Sequence, residues 1–490
     1  MKKRQLIFLT SILTTLSVAS PAIADNDPLT QKQLLSHPEV KGALSAIDAY
    51  VHGVQIYENV PSISVGIVHD QDLLWQKSYG YSNLESKEPA NGDTLYSICS
   101  ISKLFTAIGI MQLRDAGKLT LRDAVDDHLD WFNIQKSHKS GGPGTIESLL
   151  THSSGLPRES DFPYWGGPDF PFPTRAQIID RLSSQETLYP AETFFQYSNL
   201  ALTLAGEVIQ ERSGKEYQNY VNQEILEPIG LSDTRTYYPE DLFGKQMAIG
   251  YSGLHREGTR NPVDPFFTRG ITAAAGFTSS VNDLAKFASW QFQLLAGGDE
   301  QVLRANTLRE MHRVHWVDPD WTVTWGLGFN VRRSDDVTIV GHGGGCPGYI
   351  TQLILVPQKN IAVIALTNAG DGPAGSIAEN IMNEISDAIE KATTIPTENI
   401  PNFLMFEGNY ESRPWGGEIA VRQWNDQLVV VDIPGDELNN SMTFLEYDGK
   451  NTFTRLTDSG ERREPWVFEL AENGKASRIF RHSDYMNRIE

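Results

Sequence analysis

The spacing of apolar residues changes several times along the chain, and each change predicts an element. SISVGIVH (62–69) and LLWQKSY (73–79), separated by Asp-Gln-Asp, are rich in strand formers and predict a β-hairpin. Helical spacing takes over from Ser100 to Ala116, again across TIESLLTH (145–152), and from Asn199 to Arg212, where Ser213-Gly214 supplies a stop. Another helix opens in SSVNDLAKF, where Ser280 and Asp283 have the spacing of a capping box. VTIVGHGGG, YITQLILVP and IAVIALTNA then predict three strands, followed by a helix over SIAENIMNEISDAIEKA. Strands near both ends of this region, with helices between, predict an α+β domain whose single sheet draws on both ends.

The pattern shifts at TTIPTENIPN (393–402). Short alternating strands follow, separated by turn signals at Asn425-Asp426, Asp448-Gly449 and Asn473-Gly474. They predict a separate antiparallel meander of about 90 residues, a small sandwich or barrel. PRESDFPYWGGPDFPFPT (157–174) fits neither period. A segment this long and irregular predicts a lid or binding loop, or a surface excursion held down by its own aromatics.

Composition narrows the function classes. The chain has 490 residues, 40% of them hydrophobic, enough for a large core and more than one domain. Its formal charge of −21 argues against nucleic acid and anionic membrane surfaces as partners. The first residues, MKKRQLIFLTSILTTLSVASPAIAD, have the basic head, apolar stretch and small-residue end of a secretory signal. Cleavage is expected after Ala24, leaving a periplasmic or secreted protein, and no later segment is long enough to span a bilayer. The two cysteines, Cys99 and Cys346, are read either as a disulfide or as two buried thiols.

Three polar clusters fall at predicted element ends. Ser100 and Lys103, in S-I-S-K, share a helix face, so the amine can serve the hydroxyl as a resident base. Such a base needs a pKa lowered by burial or by nearby positive charge. Tyr197-Ser198-Asn199 stands immediately before a helix, where the phenol can act as phenolate or proton relay. His342-Gly343-Gly344 lies on a strand, and its glycines allow a substrate close to the backbone, where N–H groups can hold an oxyanion. Nucleophile, base, relay and oxyanion hole together describe acyl transfer.

S-x-x-K, Y-x-N and H-x-G in this order resemble the serine β-lactamase and penicillin-binding-protein superfamily, in particular its class C-like branch. TIESLLTHSSGLP, RDAGKLTLRDAV and ITAAAGFTSSVNDLAKF are similar to recurrent segments of that branch, and the match runs over roughly residues 40–390. The resemblance implies an antiparallel sheet flanked by helices, an all-helical lobe, and a small lipocalin-like barrel after it. Domain bounds are therefore expected at 1–24 for the signal peptide, 25–395 for the hydrolase and 400–490 for the barrel, which in such proteins restricts access to the pocket or mediates assembly.

By the same resemblance Ser100 is the nucleophile, Lys103 its activator, and Tyr197 general base and later acid. Asn199 hydrogen-bonds the substrate amide, His342 and Gly344 line the substrate site, and the N–H groups of Ser100 and Gly345 form the oxyanion hole. His342 stands where true β-lactamases of this class carry lysine. A mostly neutral imidazole lowers the expectation of efficient β-lactam turnover. It favours a D-amino-acid peptide, a carboxypeptidase substrate or a carboxyl ester, with a β-lactamase or a slowly deacylating penicillin sensor as the alternative. Relatives in the superfamily bridge the positions that match Cys99 and Cys346, which implies a disulfide beneath the site.

The implied partner is a small molecule or short peptide, such as a peptidoglycan fragment; no cofactor or metal is implied. His312 and His315, three apart, are the only pretext for a metal hydrolase and lack further ligands at plausible spacing. Neither a G-x-S-x-G elbow nor a phosphate-binding glycine loop is found. Phe162, Tyr164, Trp165, Phe170 and Phe172 of the irregular loop, with His315, Trp316, Trp321 and Trp325, are candidates to wall the pocket.

Overall fold

The computed structural model describes residues 29–138, 141–142, 144–334, 336–394, 400–457 and 461–489, so the expected signal peptide lies outside the described residues. The hairpin forms as Ser62–His69 and Asp72–Asn83. Its first strand pairs antiparallel with Ile361–Thr367, from Ile63 opposite Thr367 to His69 opposite Ile361. That pairing closes one nine-stranded sheet from distant parts of the chain, continuing through Tyr349–Val356 and Val337–Cys346. Ile361–Thr367 is buried along its whole length, which explains why IAVIALT is an unbroken apolar run.

Each sheet face has its own core. On one side Ile63, Val65, Ile67, Val363 and Ala365 pack against the helices Pro38–Tyr57 and Ala374–Thr394. On the other, Leu353, Leu355, Ile364 and Leu366 meet Val281–Leu295 and the helical lobe built around Ser102–Asp115 and Asn199–Ser213. The expected stop is present: Gly214 follows Asn199–Ser213 with φ of +73°. The capping box at Ser280 is only half made. Ser280 accepts from the Asp283 N–H, but the Asp283 carboxylate turns away to the N–H groups of Asp233 and Thr234. The carboxylate thus serves those two donors in place of the local cap.

The C-terminal strands form a closed eight-stranded barrel, which settles the choice between sandwich and barrel. Phe406, Tyr410, Phe453 and Phe468 fill its interior. The barrel rests on the helix Pro38–Tyr57. Gly42 and Gly53 are needed there, because a Cβ on either would lie 2.5 Å from Trp424 and 2.8 Å from Ile433 respectively. Glu39 accepts from Trp424 Nε1 at 2.8 Å and from Asn425 Nδ2 at 3.0 Å. The barrel therefore docks on the sheet face opposite the one that carries Ser102–Asp115. No helix among the described residues is long and apolar enough to cross a membrane.

Candidate active site

The predicted helix at Ser100 begins differently from expectation. Cys99–Ile101 form a 3-10 turn, and the α-helix starts at Ser102. Cys99 has φ of +49°, a conformation costly for a residue with a Cβ, and it sharpens the turn that presents Ser100. Ser100 is half-buried. Lys103, one turn on, is wholly buried, with Nζ 3.0 Å from Ser100 Oγ and donating to the Ala274 carbonyl at 2.7 Å. Burial pushes the amine well below the ordinary lysine range, Glu159 opposes the shift, and Arg158 reinforces it.

Tyr197 arrives from the loop before Asn199–Ser213. Ser198 caps that helix through the Ala201 N–H at 2.9 Å and donates to the Pro157 carbonyl at 2.6 Å, which fixes the backbone beside Tyr197. The Tyr197 phenol is near enough to Ser100 for that hydroxyl to lower its pKa, and Lys103 Nζ lies 5.0 Å from the centre of its ring. Burial pushes the phenol up to about 12; the Ser100 hydroxyl and then Arg158 draw it down, and Glu159 raises it. The downward shift of the amine favours its neutral form and the upward shift of the phenol disfavours a standing phenolate, so the relay role fits the site.

His342 lies in the buried part of Val337–Cys346, its ring 6.2 Å from that of Tyr197. Its Nδ1 donates to the Gly343 carbonyl at 2.6 Å, and burial, then Lys103, push it down to about 3 against that bond. The imidazole is therefore neutral. Gly344 passes so close to the turn carrying Ser100 that a Cβ would lie 2.2 Å from the Ile98 carbonyl oxygen. Gly345 is exposed, and the next residue, Cys346, is bonded to Cys99 with their Cα atoms 5.9 Å apart. The strand and the turn carrying Ser100 are thus joined covalently. Asn199 is buried, its Nδ2 donating to Glu159 Oε1 at 2.7 Å.

Three residues escaped the sequence reading. His152, within TIESLLTH, is fully buried with φ of +58°. Its ring centre lies 4.3 Å from that of Tyr197, and its Nδ1 accepts the Ser198 N–H at 3.1 Å. Arg158 places its guanidinium 5.0 Å from the Tyr197 ring centre, and Glu159 gathers Tyr164, Trp165 and Asn199. Their signal was SSGLPRES, two charges immediately after an apolar turn; nothing local distinguishes them from surface charges.

Of the aromatics, Trp325 packs against His152, Tyr197 and His342. Tyr164 and Trp165 reach Glu159, whereas Phe170 and Phe172 hold the loop down against Phe266. Phe162 packs on the core, and Trp321 stands exposed. Trp316 Nε1 donates to Asp318. His312 pairs with Gln291 in the core, and His315 meets Glu147, so the two histidines face different partners.

The family model described as Beta-lactamase matches residues 47–383. Among curated relatives, "Beta-lactamase-like protein 2" of Dictyostelium discoideum is 26% identical over 350 residues, covering 70% of this chain and 60% of that protein. "Penicillin-binding protein 4*" of Bacillus subtilis (strain 168) is 28% identical over 311 residues, covering 61% of this chain and 66% of its own length. The chain therefore spans 60% and 66% of these two relatives, less than two thirds of each. The solved octameric penicillin-binding protein homologue from Pyrococcus abyssi superposes with a TM-score of 0.62 at 25% identity, covering 91% of this chain and all of that one. With the matched family model running through both the Ser100 turn and the His342 strand, the chain belongs to the beta-lactamase family.

Proposed function

We propose that this protein is an exported serine hydrolase that works through an acyl-enzyme on an amide or ester: a D-amino-acid peptide, a carboxypeptidase-type substrate or a carboxyl ester. The observation that carries the reading is the Ser100 hydroxyl 3.0 Å from a buried amine that itself lies 5.0 Å from the centre of the Tyr197 ring. Ser100 Oγ attacks the substrate carbonyl carbon while its proton passes to the neutral Lys103 amine. The N–H groups of Ser100 and Gly345 receive the oxyanion. Collapse expels the amine or alcohol, which takes a proton through Tyr197. Water then attacks the ester carbonyl, gives its proton back through the same pair, and releases the acid and free Ser100.

Asn199 and Gly344 border the substrate, and His342 replaces a cation with a neutral ring, which supports peptide and ester substrates over β-lactams. Residues 25–395 carry this chemistry and 400–490 form the appended barrel. The basic-then-apolar head ending at Ala24 supports export to the periplasm or medium. A panel of short-chain aryl ester, D-alanyl-D-alanine peptide, D-amino-acid anilide and chromogenic cephalosporin, run with wild type and Ser100→Ala, tests the reading. Turnover of at least one of the first three that vanishes in Ser100→Ala supports it; turnover surviving in that variant removes Ser100 from its role.

A further inference from the structure

His152 meets the Tyr197 segment at three points. Its carbonyl accepts the Gln196 N–H at 2.7 Å, its Nδ1 accepts the Ser198 N–H at 3.1 Å, and its ring centre lies 4.3 Å from that of the phenol between them. One residue therefore holds the backbone on both sides of Tyr197 and the ring itself. The chain beyond is tied elsewhere: Ser198 Oγ donates to the Pro157 carbonyl at 2.6 Å, and the Asn199 N–H to the Arg158 carbonyl at 2.8 Å.

A carbonyl is common to any residue at 152. What the imidazole adds is an acceptor and a flat surface. Because Nδ1 accepts, the proton of the neutral ring sits on Nε2. Burial first, then Lys103, His342 and Arg158, hold the imidazole well below the ordinary histidine range, which preserves that acceptor. The residue is wholly buried, and Trp325 meets its ring edge-on at 5.2 Å. Its φ of +58° is an outlier for a residue with a Cβ. Strain of this kind persists where the surroundings over-determine it, and here it accompanies a side chain laid against the phenol.

We infer that His152 is the positioning residue of Tyr197, its Nδ1 fixing the Ser198 amide and its ring fixing the phenol, so that the activity lost with His152 is lost through Tyr197. The inference rests on the reading of Tyr197 as proton relay. A relay displaced by about 1 Å can cost about 10²-fold in rate. His152→Phe keeps a flat ring but leaves the Ser198 N–H without its acceptor. His152→Asn loses the ring, yet it offers Oδ1 in place of Nδ1, and asparagine tolerates a left-handed backbone.

The test is a double-mutant cycle on the short-chain aryl ester with His152→Phe, Tyr197→Phe and the double variant, and with His152→Asn beside them. Amide exchange of the peptide 195–199 is followed in each. His152→Phe should lower kcat at least about 10-fold with KM within about 3-fold of wild type, and the double variant should match Tyr197→Phe within about 3-fold. Exchange should quicken in His152→Phe and stay slow in His152→Asn, which should also keep more activity than His152→Phe. Losses that multiply in the double variant would overturn the inference, because His152 would then act on something other than Tyr197. An unchanged kcat in His152→Phe, exchange no faster there than in wild type, or His152→Asn no better than His152→Phe would overturn it too. Wild-type kcat in Tyr197→Phe counts against the relay reading instead, and the exchange data then decide whether His152 holds the backbone of the phenol.

Discussion

A lysine amine with no solvent contact, 3.0 Å from a hydroxyl, loses far more by being charged than a surface amine does. Its free form carries a lone pair within reach of the Ser100 proton. The expected pH profile follows from the two shifts. Activity rises with pH as Lys103 loses its proton, at a pH below the ordinary lysine range, because only the neutral amine can accept. Tyr197, pushed up to about 12, places no descending limb at lower pH. Lys103→Met, similar in length but without the base, should lower kcat by about 10²–10⁴-fold on the aryl ester while leaving the fold intact, as read by steady-state kinetics and circular dichroism. A normal kcat in that variant would show that another group takes the proton. At this scale the sequence was informative where chemistry is local and silent where it is not. Ser100 and Lys103 are three residues apart and announce themselves; His152, 45 residues before Tyr197, stacks on it only because the fold brings a left-handed backbone position under the ring.

Between elements, the decisive contact is that of the Cys99–Ile101 turn with the strand Val337–Cys346. Gly344 permits the approach, and the disulfide across a separation of 247 residues holds it. Replacing both cysteines by serine should lower the unfolding free energy by about 2–4 kcal/mol and reduce kcat several-fold, because the turn loses the tie that fixes its left-handed residue. Denaturant titration and kinetics under non-reducing conditions check this; unchanged stability would contradict it. Strands and helices with one clear period, such as Asn199–Ser213 and Ile361–Thr367, were readable from spacing alone. Pro38–Tyr57 was not read as an element, since it is covered by the sheet on one side and the barrel on another. Its buried residues include Val40, Gly42, Ala43, Leu44 and Ala46, which form no single stripe. The start of the helix after Ser100 was misplaced for a related reason: the left-handed φ at Cys99 is set by tertiary contacts and leaves no mark in the apolar pattern.

Over the whole molecule, two cores share one sheet, the proposed catalytic groups belonging to one face and the barrel to the other. Stability and activity should therefore separate. Glu39→Ala leaves Trp424 Nε1 buried without its acceptor and should cost about 1–3 kcal/mol of stability, with kcat on the aryl ester unchanged. A fall in kcat with stability preserved would instead mean that the barrel communicates with the cleft. The barrel's existence could be read from its turn signals, but its docking could not, because the partners of Gly42 and Gly53 lie hundreds of residues away.

The central claim, that Ser100 is the acylated nucleophile, is tested most directly by mass spectrometry of the protein quenched during turnover of the aryl ester. The expected result is an acyl adduct on the peptide containing Ser100, slow to form in Lys103→Met and absent in Ser100→Ala. An adduct on another residue, or ester hydrolysis by Ser100→Ala at the wild-type rate, would contradict the account.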